Sequence, residues 1–421
     1  MLSRVRIRGY KTLEDAEARL GSLTVVLGPL GAGRSNLLEA VGLLARLASA
    51  ERLERAFSPP HRGRAAECVR NGTLSFDADL ELSARIPKAL NARLAEREKL
   101  EQLDGSFTRV AERRLRYALS LEVSQDSGSL RLTDESLEAL SATGTPRAQR
   151  KPFIERDSGH GRFVVRIERQ GQVRYFGAGR RRTLLSEVTD LVYHPHPAAA
   201  REELLGVRRF AFEAQALRST PSAPAADNPG FRGEDLLPFL SRLAAEEPET
   251  LRRIEEKLGS SGVDHVDVNG PAGTFSLRIR GEGVPFHLAP DGILKLLAIA
   301  STLESSSAPT VALFDEPEAG LDRAGLGTLA RILRAACSGR RSATQVVVVT
   351  GSAELALLLD PASVLACRRE PGRGTVLAPL PGGEADLFRR TAMEKALEGS
   401  AIPEAPAAPA AAPRRRARAT K

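Results

Sequence analysis

Residues 23–36, Leu-Thr-Val-Val-Leu-Gly-Pro-Leu-Gly-Ala-Gly-Arg-Ser-Asn, constrain this chain more than any other stretch. A β-branched apolar run stops at a glycine-rich turn. Beyond it, Leu37, Leu38, Val41, Leu44 and Ala48 recur at helical spacing. In that order of elements, backbone N–H groups can point at an anion while the helix N-terminus faces the same charge. From Gly28 to Ser35 the spacing follows the phosphate-loop pattern G-x-x-x-x-G-K-[ST] at every position but one. Arg34 stands where the lysine is expected. Gly31 and Gly33 suit the turn, Ser35 stands where a hydroxyl would reach a magnesium ion, and Asn36 opens the helix. A glycine-rich turn of this kind can also be purely structural, so the reading depends on what else the chain carries.

Residues 310–322, Thr-Val-Ala-Leu-Phe-Asp-Glu-Pro-Glu-Ala-Gly-Leu-Asp, supply the second motif. A buried strand ends in an acidic pair, the Walker B arrangement. Asp315 at the strand end would hold a magnesium hydration shell. Glu316 beside it would take a proton from, or orient, an attacking water. The third motif is Leu288-Ala289-Pro290-Asp291-Gly292, followed by an apolar run. Asp291 and Gly292 open another helix whose N-terminus is available to phosphate. Alone, that stretch would read as an ordinary capped core helix.

Composition narrows the class. With 42% hydrophobic and 27% charged residues the chain has the make-up of a globular protein. Its 421 residues suffice for one large interrupted domain or for a few smaller ones. No apolar run approaches the ~18 residues of a membrane span. The opening Met1-Leu-Ser-Arg-Val-Arg-Ile-Arg lacks a signal-peptide core, so a cytoplasmic location and no membrane partner are expected. Cys68, Cys337 and Cys367 lie far apart without C-x-x-C spacing, which argues against a disulfide framework and against a zinc site. A net charge of +8 permits DNA contact without establishing it.

Along the chain, residues 4–8 alternate as a strand, 9–12 turn, and 20–27 run as a strand into the glycine loop. Alternation at 73–86 and 115–123, a charged helical stretch at 88–103 and a hairpin of 163–169 with 172–176 predict a β-rich insert. Loops are expected at 142–152, around Arg180–Arg182 and at 219–231. Helical patterning returns at 235–258, and strands pair at 263–268 and 274–279. Residues 193–196, Tyr-His-Pro-His, offer two imidazoles with no third ligand nearby and read as a turn. Asp264 to Asp267 read as a solvated strand face. The clusters Arg147, Arg150, Lys151 and Arg180–Arg182 could meet phosphate backbones, although charged loops are more often only solvated. The boundaries that follow are an N-terminal half at 1–50, an insert at 51–230, a C-terminal half at 231–395 and a tail at 396–421. The tail, rich in Ala, Pro and Arg, is too poor in large apolar residues to build a core.

These motifs, in this order and separated by a long insert, resemble the ABC-type ATPase heads of the SMC/RecF-like class. More closely, they resemble the stand-alone bacterial AAA-family ATPases related to overcoming-lysogenization-defect proteins. Ile7-Arg-Gly-Tyr-Lys11-Thr-Leu-Glu-Asp resembles that group's first strand and turn, and Ser35-Asn-Leu-Leu-Glu-Ala its post-loop helix. Residues 345–355, Gln-Val-Val-Val-Val-Thr-Gly-Ser-Ala-Glu-Leu, resemble its switch strand. The resemblance implies an α/β P-loop NTPase, an ABC/SMC-like head with a mixed sheet and a β-rich insertion. It implies ATP and Mg²⁺ as ligands, and two heads that sandwich ATP between one subunit's loop and the other's signature helix.

Against the family pattern this sequence departs at Arg34, at Pro290 where the signature serine is expected, and at Gly351 where the switch histidine is expected. No glutamine has the context of the Q-loop. Arginine keeps the charge but not the compact ammonium geometry. Each lost γ-phosphate contact costs about 2–4 kcal/mol in a transition state. Glu316 remains, so slow hydrolysis is expected, driving head dimerisation in DNA repair or anti-phage defence. A separately encoded nuclease or effector would be the partner, because only about 50 residues separate the switch strand from the tail. The competing readings are a degenerate pseudo-ATPase serving as a nucleotide-sensing scaffold, and a nucleic-acid-binding module with a vestigial head.

Overall fold

The strand that runs into the glycine loop lies inside its sheet, with neighbours on both sides. The computed structural model describes residues 1–101, 107–124, 126–168, 170–219, 225–270, 274–338 and 344–380; the tail expected at 396–421 lies outside them. Strands β1 (Leu2–Tyr10) and β2 (Leu13–Arg19) precede β3 (Leu23–Leu27) and helix α1 (Arg34–Leu47). Then come β4 (Thr73–Glu81), α2 (Arg85–Leu100), β5 (Arg114–Val123), β6 (Leu130–Ala139), β7 (Ile154–Asp157), β8 (Arg162–Arg166) and β9 (Val173–Gly177). Next are α3 (Pro195–Leu205), β10 (Val207–Phe210), α4 (Leu236–Glu246), α5 (Pro248–Leu258), β11 (Val263–Gly270), β12 (Thr274–Ile279) and β13 (Glu282–Pro285). Last come α6 (Asp291–Glu304), β14 (Val311–Asp315), α7 (Arg323–Ser338), β15 (Gln345–Thr350), α8 (Ala353–Leu358), β16 (Val364–Glu370) and β17 (Gly374–Pro379).

An eight-stranded antiparallel sheet has the order β2-β1-β4-β5-β6-β7-β8-β9, and a six-stranded sheet the order β10-β14-β15-β3-β16-β17. The latter is parallel except where β17 pairs with β16. Its central strands are continuous apolar runs because both of their faces are covered. Val26, Leu313 and Val347 face a core shared with α1 and the antiparallel sheet; Val25, Phe314 and Val348 face a second core with α6 and α7. The result is the expected α/β P-loop NTPase architecture, with a mixed sheet beside a β-rich layer. The sheets cut across the sequence segments. β1 and β2, from residues 1–50, join the antiparallel sheet, while β10, from residues 51–230, pairs with the Walker B strand β14. Among the described residues no helix is long and apolar enough to cross a membrane.

Several local expectations are corrected. The strand expected over 73–86 stops at Glu81, and Arg85 and Ile86 open α2. The helical stretch 235–258 is two helices, because Pro248 cannot donate a backbone hydrogen bond and instead restarts the helix at its first position. His194-Pro195-His196 is not a turn but the start of α3, with Pro195 at its first turn and His196 fully buried. The strand expected at 20–27 begins at Leu23.

The antiparallel layer also anchors α1. The Thr183 hydroxyl donates to the Leu47 carbonyl at the helix end (2.8 Å). Beside it, the Leu184 and Leu185 amides and the Tyr117 hydroxyl donate to the buried Glu135 carboxylate at 2.6, 3.0 and 2.9 Å. Burial outweighs these donors and pushes the Glu135 carboxyl up to about 7 from an ordinary value of 4.5. Between those values the folded chain keeps a proton that the unfolded chain has lost, so stability falls as pH rises through this window. The thermal midpoint should therefore drop with pH by on the order of a few °C more in the native protein than in Glu135→Gln. Parallel pH profiles for the two proteins would show that Glu135 is not the titrating group.

Candidate functional site

The glycine loop is held from outside its own sequence. Thr375 on β17 donates its hydroxyl proton to the Ala32 carbonyl (2.8 Å) and takes one from the Thr12 hydroxyl (2.8 Å), and the Asn36 amide donates to the same Thr12 oxygen (2.8 Å). Gly33 has φ 100°. A β-carbon there would lie 2.1 Å from Thr375 Oγ1 and 2.4 Å from Thr12 Oγ1, so only glycine fits the clasp. Gly28 passes equally close to the backbone, since a β-carbon would stand 2.1 Å from the Cys367 carbonyl. At Gly31 the same construction meets nothing, so the loop faces open space there.

Two pairs join the loop to the end of β14. Ser35 Oγ donates to Asp315 Oδ1 at 2.9 Å, and Arg34 Nη2 donates to Glu316 Oε1 at 3.0 Å. The structure thus brings Gly28–Ser35, Asp315 and Glu316 together. Arg34 is buried, and its Nη1 has no hydrogen-bond partner among the described residues. That nitrogen lies 3.1 Å from where a β-carbon of Gly351 would be. The arginine thus fits because position 351 carries no side chain: two of the departures from the family pattern touch. Glu316 has φ 47°, an uncommon conformation for a residue with a side chain, and its amide is tied to the Val349 carbonyl at 3.0 Å.

Three further residues at the site are given no role by the sequence alone. Arg209, on β10, donates from Nη2 to Asp315 Oδ2 at 2.8 Å and sits 3.7 Å from Glu39, so Asp315 is shared between a hydroxyl and a guanidinium. The parallel pairing of β10 with β14, Arg209 opposite Leu313, is what delivers it. Glu39 on α1 is buried against Lys11 and the Arg62 amide; desolvation pushes its carboxyl up, but these donors hold it below the usual carboxylate range. Glu318 accepts from the Thr350 hydroxyl and, at 3.3 Å, from the Gly351 amide; burial pushes its carboxyl up. Acidic residues after a Walker B strand and arginines at strand ends were visible in the sequence, but nothing in one dimension marks which of them turn inward.

Asp291 and Gly292 open α6 as expected, yet among the described residues neither is hydrogen-bonded or ion-paired to the glycine loop. Asp291 is paired with Arg218 instead. Gly292 packs against the Gly320 turn, where a β-carbon would meet Leu321 at 3.1 Å, and Lys295 donates to the Ala319 carbonyl at 2.6 Å. The basic clusters are largely spent on internal pairs. Arg147 and Arg150 both reach Glu112 (3.3 and 2.7 Å), and Arg180 and Arg182 share Glu187.

The donor set fits a nucleotide and a hard cation. The unpartnered Arg34 Nη1 is a buried cationic donor in want of an anion. Ser35 and Asp315 present adjacent oxygens of the kind magnesium takes, and would hold it. A cation there would offset phosphate charge.

A family profile described as "AAA domain, putative AbiEii toxin, Type IV TA system" matches residues 23–357. A DNA replication and repair protein RecF of Magnetococcus marinus is 49% identical over 45 residues, covering 10% of this chain and 12% of that protein. An OLD nuclease of Thermus scotoductus is 41% identical over 44 residues, 10% of this chain and 8% of that protein. The chain thus spans about a tenth of the length of these curated relatives. Among solved structures, an Smc head bound to the C-winged helix domain of ScpA aligns over 90% of this chain and 96% of its own, at 12% identity and a TM-score of 0.49. An SMC head domain from Thermotoga maritima aligns over 90% and 99%, at 10% identity and a TM-score of 0.42.

Proposed function

The chain belongs to the AAA-domain family that its residues 23–357 match, and on that premise we propose that it binds ATP with Mg²⁺ and hydrolyses it slowly. The observation that carries the proposal is the 2.9 Å hydrogen bond from Ser35 to Asp315, which joins the loop hydroxyl to the Walker B carboxylate beside Glu316. In this reading the loop amides and Arg34 hold phosphate, Ser35 and Asp315 hold the cation, and Glu316 takes the proton of the attacking water. Turnover is slow because Arg34, Pro290 and Gly351 replace the family's γ-phosphate contacts. The finer reading is a homodimer in which nucleotide lies between one head's loop and the Asp291–Gly292 helix end of the other. Its support is apolar exposure at both motifs, Leu30 being 93% and Leu288 65% exposed. Action in DNA repair or anti-phage defence, in the cytoplasm and with a separate nuclease or effector, takes support from the short matches to a RecF and an OLD nuclease.

One observation favours the pseudo-ATPase reading. The ion pair with Arg34 holds the Glu316 carboxylate that the reaction needs free. Equilibrium titration decides the first step. ATP should bind, more tightly with Mg²⁺ than without, and Ser35→Ala should remove the Mg²⁺ dependence while leaving binding of free ATP. No binding at millimolar ATP would sink the ATPase reading.

A further inference from the structure

Away from the loop, the antiparallel layer and the segment after α2 line an open cavity of about 770 Å³. That volume is in the range of sites for small organic ligands. Four cations line it: Arg109, Arg150, Lys151 and Arg166. Among the described residues its one lining carboxylate, Glu168, is already satisfied. The His196 amide donates to it at 3.0 Å, and the buried His196 ring pairs with its other oxygen at 2.5 Å. The other ring nitrogen accepts from the Ala111 and Glu112 amides at 3.1 and 3.0 Å, so the imidazole is neutral and its Nδ1 proton points at Glu168. His196 therefore has no ring nitrogen left for a metal in this arrangement. His196 fixes the cavity wall.

The arginines are held from behind. Glu98 pairs with Arg109, Glu112 with Arg150 and Glu155 with Arg166, and none of these three acids is among the described lining residues; Arg150 also lies 3.7 Å from Glu168 in the wall. Arg150 is further fixed by lying over the Phe153 ring at 4.7 Å. Guanidiniums braced in this way keep their remaining N–H groups aimed without losing further side-chain entropy. Two donors on the wall lack partners among the described residues although their atoms are buried: Arg109 Nη1 and Thr108 Oγ1. Buried donors of this kind await an acceptor. Lys151 stands exposed at the rim with no ion pair among the described residues. We propose that this cavity binds a small phosphomonoester of mononucleotide size, its phosphate on Arg109 Nη1, the Thr108 hydroxyl and the Lys151 ammonium. The cations gather around one pocket rather than along the stripe that a nucleic-acid backbone would need, and the neighbouring Arg147 is turned onto Glu112, which favours a small molecule.

The test uses pyridoxal 5′-phosphate, a phosphomonoester of matching size, on the full chain. Its aldehyde condenses with a lysine amine, releasing water, and borohydride reduces the imine to a stable amine that peptide mass spectrometry maps. The glycine loop carries Arg34 in place of lysine, so labelling there cannot be confused with labelling at this cavity. Lys151 should be labelled well ahead of the exposed Lys88 and Lys99, and AMP should protect it. Thr108→Val, which removes only the hydroxyl, should weaken that protection roughly tenfold. Equal labelling of all exposed lysines, or no protection by AMP, would overturn the proposal. Protection by a 5′-phosphorylated single-stranded oligonucleotide but not by AMP would overturn it in favour of a nucleic-acid end.

Discussion

Glu316→Gln should hydrolyse ATP roughly 10²–10³ times more slowly than the native chain while binding ATP more tightly. The two effects have one structural origin. A carboxamide cannot take a proton from the attacking water, so the chemical step loses its base. The same change abolishes the ion pair at 3.0 Å that ties Arg34 to Glu316, and Arg34 then has its whole guanidinium for phosphate. The Glu316 side chain is about half exposed, 49%, so solvent screens the pair and the gain in affinity is small, a few-fold at most. Single-turnover hydrolysis and equilibrium binding on the same preparations separate the two effects. Equal turnover in both proteins would place the measured activity elsewhere and leave a nucleotide-sensing scaffold. Slower turnover with unchanged or weaker binding would show that the Arg34–Glu316 pair does not compete with phosphate.

The parts of this site that were legible are those written locally. A strand, a glycine turn and a helix follow one another from Leu23 to Leu47, and an apolar run ends in Asp315-Glu316; each motif needs only its own few residues to be seen. What stayed hidden depends on distance. Thr12 and Thr375 clasp the loop across 363 residues of sequence, and no periodicity marks a threonine that will meet another so far away. Arg209 lies in a stretch read as part of the insert, and only its parallel register with β14 carries it to Asp315. His196 read as part of a turn because His-Pro-His-Pro is turn-like in isolation. Packing against Phe153, with ring centroids 4.6 Å apart, buries it at the start of α3, where it holds Glu168 of the cavity wall. The antiparallel sheet shows in the sequence as alternation over only part of its extent. β6 is interrupted by polar residues such as Glu135 that point inward, where alternation predicts apolar ones.

Arg34 and Gly351 should behave as one unit under mutation. In sequence they are two separate losses, a lysine and a histidine. In the fold, the Arg34 guanidinium fills the space a side chain at 351 would take. A β-carbon there would lie 3.1, 3.6 and 3.8 Å from Nη1, Nη2 and Cζ. Gly351→His alone should therefore displace the guanidinium and weaken ATP binding by roughly 10- to 100-fold, the worth of one charged hydrogen bond. Arg34→Lys alone shortens the side chain, breaks the reach to Glu316 and frees that base, so turnover should rise while the fold is kept. In the double variant the lysine leaves room for the imidazole, and binding should return to the level of Arg34→Lys or better. The cycle should thus show a favourable coupling of about 1–3 kcal/mol between the positions, read from ATP affinity and checked against the thermal midpoint of each protein. Additive effects would mean that the contact is incidental and the two departures arose independently. A favourable coupling in affinity with additive midpoints would locate their interaction at the phosphate rather than in the stability of the fold.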